Sequence, residues 1–91
     1  MTESAPYTHD GGDFSPVPSR VVASWPAPAF LENVAVGPDG SVFVTVYSSN
    51  RIDRYDPKTG EASIFAVLPV PPMGLAFDES GSLWVTGCTP V

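Results

Sequence analysis

The side chains able to do chemistry are few. Ten Asp and Glu stand against four Lys and Arg, one histidine and one cysteine in 91 residues, for a formal net charge of −6. So few cations cannot build a basic patch, which argues against a nucleic-acid partner, because neutralising phosphates needs clustered cations. The acidic balance favours a cation as partner instead. A Ser–His nucleophile has to draw on His9, which lies in a stretch rich in Pro, Gly, Ser, Thr and Asp and reads as a solvated tail residue. Cys88 excludes an internal disulfide and has no basic neighbour in sequence to activate it, so it reads as a small buried hydrophobe. Asp39 and Asp78 sit among Gly and Ser and read as turn formers.

The elements that position these groups come from a repeat. "LENVAVGPDGSVFVT" (Leu31–Thr45) and "MGLAFDESGSLWVT" (Met73–Thr86) align at a spacing of 41 residues, Gly37 against Asp78. Over Val34–Thr45, five of twelve aligned positions are identical: Ala35/Ala76, Gly40/Gly81, Ser41/Ser82, Val44/Val85 and Thr45/Thr86. A period of roughly 40–45 residues is that of a propeller blade of four antiparallel strands. "GPDG" (Gly37–Gly40) and "DPKTG" (Asp56–Gly60) have the Pro and Gly that hairpin turns require. "SVFVTV" (Ser41–Val46) is apolar at nearly every position, which implies burial on both faces. "NRIDRYD" (Asn50–Asp56) alternates more and lies further out, with Asp53 and Asp56 on the outer half of the blade. "EASIFAVL" (Glu61–Leu68) reads as the outermost strand.

The spacing predicts antiparallel strands over 20–25, 33–36, 41–46, 51–56, 61–67, 75–77 and 82–86. The expected architecture is all-β: an incomplete propeller with one four-stranded blade, from residue 33, and about half of a second, from residue 73. Residues 1–19 have too little apolar surface to offset backbone ordering and read as a disordered tail, leaving 20–91 as the partial propeller. The strand over Arg20–Trp25 stands where an outermost strand ends in the next repeat, the place of a strand that closes a propeller ring. No apolar run approaches the roughly 18 residues that span a membrane, and the N-terminus lacks the regions of a secretory leader. Cytoplasmic residence is the expectation.

With these elements in place, "FLENVAVGPDGSVFVT", "NRIDRYDPKTG" and "GLAFDESGSLWV" resemble the start of proteins in the gluconolactonase, senescence-marker-protein and luciferin-regenerating-enzyme family. The resemblance covers about Arg20 to Val91. It implies a six-bladed propeller, of which this chain is an N-terminal fragment. It also implies a hydrolase of lactones or related esters that holds a divalent cation, calcium, in its central channel. In that family a glutamate just before the first inner strand binds the cation, and Glu32 in "LENVAV" occupies that place. A carboxylate oxygen suits a hard cation. The aligned residue is Met73, so the repeat itself does not demand Glu. A solvated strand-end glutamate is the competing reading. Asn33, aligned with Gly74, either supports Glu32 or only turns the chain.

The family's other ligands come from later blades. The chain by itself is therefore expected to carry no catalytic or cofactor-binding residue, to hold no calcium tightly and to be inactive, the lactone or ester being a substrate of the longer parent. The same phrases are also similar to NHL-type repeats, which are mainly binding modules, and to lyases related to virginiamycin B lyase; fold does not choose among these. A truncated product without independent function is the third reading. Self-association is expected through blade faces left uncovered, with Phe43, Val44 and Trp84 turned partly to water.

Overall fold

The computed structural model describes residues 7–8, 14–15 and 18–88. The described chain is all-β apart from a 3-10 turn at Tyr47–Ser49. Strands β1 (Tyr7–Thr8) and β2 (Phe14–Ser15) form a short antiparallel pair within the stretch expected to lack structure. The rest of residues 1–17, including His9, lies outside the described residues. Strands β3 (Leu31–Val36), β4 (Val42–Val46), β5 (Arg51–Asp56) and β6 (Glu61–Val67) form one antiparallel sheet in chain order. Strands β7 (Pro72–Phe77) and β8 (Leu83–Gly87) form a second, two-stranded sheet.

The repeat in sequence is a repeat in hydrogen bonding. The Gly37 amide donates to Ser41 O at 2.8 Å, and the Asp78 amide to Ser82 O at 3.0 Å. The Gly40 amide donates to Gly37 O and the Gly81 amide to Asp78 O, both at 3.0 Å. Gly40 and Gly81 take φ of 87° and 88°, a left-handed conformation that a side chain resists. Register repeats as well: Val34, Ala35 and Val36 face Val44, Phe43 and Val42, and Leu75, Ala76 and Phe77 face Val85, Trp84 and Leu83.

Both inner strands begin earlier than the sequence predicts, at Leu31 and Pro72 rather than residues 33 and 75. The reason is a β-bulge. Leu31 pairs with Val46 and Val34 with Val44, so Glu32 and Asn33 together oppose Thr45. Pro72 pairs with Gly87 and Leu75 with Val85, so Met73 and Gly74 oppose Thr86. The threonine fills the gap each time. Thr45 Oγ1 accepts from the Asn33 amide, and Thr86 Oγ1 from the Gly74 amide, both at 2.8 Å. Pairing then resumes beyond the bulge, and Pro72, as first residue of its strand, sacrifices no ladder donor.

The second sheet seats on one face of the first. The Thr45 hydroxyl donates across to Met73 O at 3.0 Å. Phe43 meets Phe77 edge-on, with centroids 5.2 Å apart, and Phe65 of its own sheet at 4.9 Å. Gly37 permits this approach, since a Cβ there would lie 3.1 Å from the Phe43 ring and 3.2 Å from Phe77. Val46 and Ile52 are the most deeply buried apolar side chains of the first sheet, and β6 is its exposed edge, as its position predicts.

Three expectations change. Arg20–Trp25 forms no strand; it crosses the opposite face of the sheet instead of extending an edge, so its backbone has no ladder to join. Phe43 and Val44 are buried, the first by Phe65 and Phe77, the second beside Trp25 and Tyr55; Trp84 alone of the three is exposed. Cys88 is exposed, because it follows the last strand, where only its amide is engaged, by Pro71 O at 3.0 Å.

Thr45 does two jobs and Thr86 one, which predicts unequal costs for the same substitution. Thr45→Val strands the Asn33 amide and the Met73 carbonyl, and is expected to lower stability by about 1–3 kcal/mol. Thr86→Val is expected to cost clearly less, since water reaches the Gly74 amide. Urea unfolding of both variants checks this; equal losses would show that the Thr45–Met73 contact contributes nothing.

Candidate functional site

The bulge sets the position of Glu32. Two residues opposite one turn the strand and re-aim a side chain, which is why bulges recur beside sites. Glu32 and Asn33 are both exposed there, at the start of the inner strand. Asn33 is committed to the backbone. Its amide is held by Thr45, and its Oδ1 accepts from the Val34 amide at 2.7 Å. It steadies the bulge rather than offering its side-chain oxygen outward.

Glu32 and Asn33 stand at one end of a cleft of about 370 Å³ between the sheet and the crossing segment. The rest of the lining is mainly apolar: Val22, Trp25, Leu31, Val34, Val42 and Val44 among others. Among the described residues no group of three or more His, Cys, Asp or Glu side chains converges to hold a metal. Calcium takes six to eight oxygens, so one carboxylate on a bulge does not make a site for it. The residues present here do not fit the cation that the resemblance implies.

Asp78, Asp39 and Asp53 have structural work. Asp78 accepts from the Ser80 hydroxyl at 2.7 Å, the Trp84 indole at 2.8 Å and the Ser82 amide at 3.0 Å. These bonds, the Ser80 hydroxyl first and the Trp84 indole next, lower its pKa from 3.8 to about 2. Asp39 is held below the usual carboxylate range, chiefly by the Ser41 amide and then the Ser41 hydroxyl. Both are turn formers, as expected. Asp39 also meets Arg54 at 3.4 Å, a surface contact of small worth.

Asp53 is the group that sequence reasoning undervalued. It is only 4% exposed, on β5 opposite Val44. Its Oδ1 accepts from Arg51 Nε at 2.8 Å, and its Oδ2 from Arg51 Nη2 at 3.1 Å and Trp25 Nε1 at 2.7 Å. Arg51 and Asp53 are two apart on a strand and so share a face. That spacing was the available signal; Trp25, 28 residues away, gave none. The arrangement is a clasp. It pins the crossing segment onto the sheet and so forms one wall of the cleft.

No protein-family model, curated protein or solved structure matches the chain.

Removing either half of the clasp should free the segment. Asp53→Asn is expected to cost about 1.5–3 kcal/mol, the range for hydrogen bonds to a charged group, and Trp25→Phe about 1 kcal/mol. Amide exchange over Val22–Ser24 should quicken in both; unchanged exchange would mean that the segment is held by its apolar contacts alone.

Asp78 supplies a pH test. Its folded pKa lies below the ordinary 3.8, so its stabilising contribution is full above that value and lost as pH falls through about 2. The Trp84 indole N–H resonance should titrate with a midpoint near 2, and Asp78→Asn should abolish the transition. A midpoint near 3.8 would show that the turn bonds do not persist in solution.

Proposed function

We propose that this chain supplies repeats of a lactonase-like propeller, and that by itself it neither holds calcium tightly nor opens a lactone. One observation carries the reading. The 41-residue period recurs in the backbone bonds, the bulge and the threonine plug, and the second sheet seats on the first. Sheets that stack face to face in series are the way a propeller is built. Glu32 adds the functional part of the reading: it stands at the start of the inner strand, where the resembling family has its cation-binding glutamate.

In this reading Glu32 is one ligand of several, and the others belong to further repeats of a longer parent. Activity is a property of the closed ring. Polarising a carbonyl or activating water needs a shaped and partly dry channel, and two neighbouring sheets enclose none. A non-catalytic NHL-type binding propeller is the second reading. The observation in its favour is that, among the described residues, no group of three or more His, Cys, Asp or Glu side chains forms around Glu32.

The test combines a thermal melt, with and without a few millimolar calcium, and a lactone hydrolysis assay, on wild type and Glu32→Gln. Neither calcium nor the substitution is expected to move the melting temperature appreciably, because binding stabilises only as RT ln(1 + [L]/Kd). No hydrolysis is expected. A calcium-dependent rise of several degrees that Glu32→Gln abolishes would overturn the reading, as would hydrolysis by wild type that the variant lacks.

A further inference from the structure

The contact between the two sheets inside this chain defines a pair of complementary faces. One face presents Phe43 and Thr45 from β4. The other presents Phe77, and the Met73 carbonyl, from β7. Because the repeat is regular, each half of this contact has a second version elsewhere in the chain. Trp84 and Thr86 on β8 stand 41 residues after Phe43 and Thr45, and Val36 and Glu32 on β3 stand 41 residues before Phe77 and Met73. Backbone register, bulge and turns are the same in both copies, so the side chains and the carbonyl point the same way.

These second versions are unmatched. Trp84 is 66% exposed and Val36 64%. The Thr86 hydroxyl accepts from the Gly74 amide, as Thr45 accepts from Asn33, but its hydrogen finds no acceptor among the described residues. Val34, which shares a face with Val36, is also exposed, and lines the apolar cleft beside Trp25. One chain therefore carries a ring and a hydroxyl donor at one end, and an apolar cleft with a backbone acceptor at the other. Each is a copy of a half-contact that the molecule already makes internally.

We propose that β8 of one molecule docks on β3 of a second copy of this chain, head to tail, so that the internal sheet contact continues between molecules. The Trp84 ring lies over Val36 and enters the cleft beside Val34. The Thr86 hydroxyl donates to the Glu32 carbonyl of the next copy, as Thr45 donates to Met73 O at 3.0 Å within one chain. The contact is heterologous, so each added molecule leaves one β8 face and one β3 face free, and assembly proceeds beyond the dimer until a ring closes or a filament grows. The inference rests on the repeat and not on the lactonase reading. Calcium binding or lactone hydrolysis by this chain, either of which overturns that reading, leaves it standing, and its own failure leaves that reading untouched.

Sedimentation velocity over rising concentration, with Trp84→Arg and Val36→Lys, tests it. Both positions are largely exposed, and circular dichroism verifies that each variant keeps its strands. Wild type should form species larger than a dimer. Each variant alone should be monomeric, because each lacks one of the two faces. An equimolar mixture of the two should give a dimer and nothing larger, since one intact β8 face and one intact β3 face remain. Thr86→Val is the milder variant. It keeps the apolar contact and should weaken association roughly two- to tenfold, the worth of one hydrogen bond. Three outcomes overturn the proposal. These are a wild type monomeric throughout, Val36→Lys assembling alone (a β8-to-β8 contact), and assembly that survives both substitutions (a contact at the open β8 edge).

Discussion

One hydroxyl group fixes the relation between the two sheets. Thr45 Oγ1 takes the amide that the bulge frees and gives its hydrogen to a carbonyl of the neighbouring sheet. Without the first bond, the Asn33 amide that the bulge takes out of the ladder would lose its protein partner. Without the second, Met73 O would lose its partner, and the sheets would be held by the packing of β3 and β4 on β7, the contact of Phe43 with Phe77 included. Serine could serve the hydrogen bonds. Threonine adds a methyl at a fully buried position and a β-branched fit to the strand.

The opposite face of the first sheet depends on charge. Its aliphatic stripe, Val42, Val44 and Val46, is bordered by a buried carboxylate, which is costly unless it is fully bonded. Arg51 and Trp25 together supply three donors to Asp53 and so satisfy it. The indole also sets an apolar ring beside Val42 and Val44, so one side chain both completes the polar network and walls the cleft on that face. This accounts for the path of residues 20–25. Their β-branched composition favours a strand, yet Trp25 finds its partner over the face, and the segment follows it.

Most of the fold was legible because the turns are explicit. Pro38, Gly40, Pro57, Gly60 and Gly81 mark where strands must reverse, and the three glycines do take positive φ. The double burial of β4 was legible from its nearly continuous apolar run. The bulge was not. Nothing in "LENVAV" announces an extra residue, and the cue, Thr45 recurring as Thr86, shows only that the position matters. The clasp was hidden for a different reason: it joins residues 25 and 53 through tertiary contact, and periodicity carries no information about such pairs. Of the candidate site, the place of Glu32 could be read from the repeat. Its exposure, and the prior commitment of Asn33 to the backbone, could not.

The bulge also brings two roles onto one residue. The Glu32 side chain points outward as a candidate ligand, while its carbonyl occupies the position from which Met73 accepts the Thr45 hydroxyl. Any neighbour that used that carbonyl would bring its own sheet against the start of β3, beside the carboxylate. Assembly would therefore change the surroundings of Glu32 without touching its side chain. The two roles remain chemically separable, because Glu32→Gln alters the carboxylate and preserves the carbonyl, whereas Thr86→Val removes the donor and preserves the carboxylate. A repeat that closes its sheet contacts through backbone acceptors leaves the side chain at the same position free to vary. That is why Met73 can stand in one copy where Glu32 stands in the other.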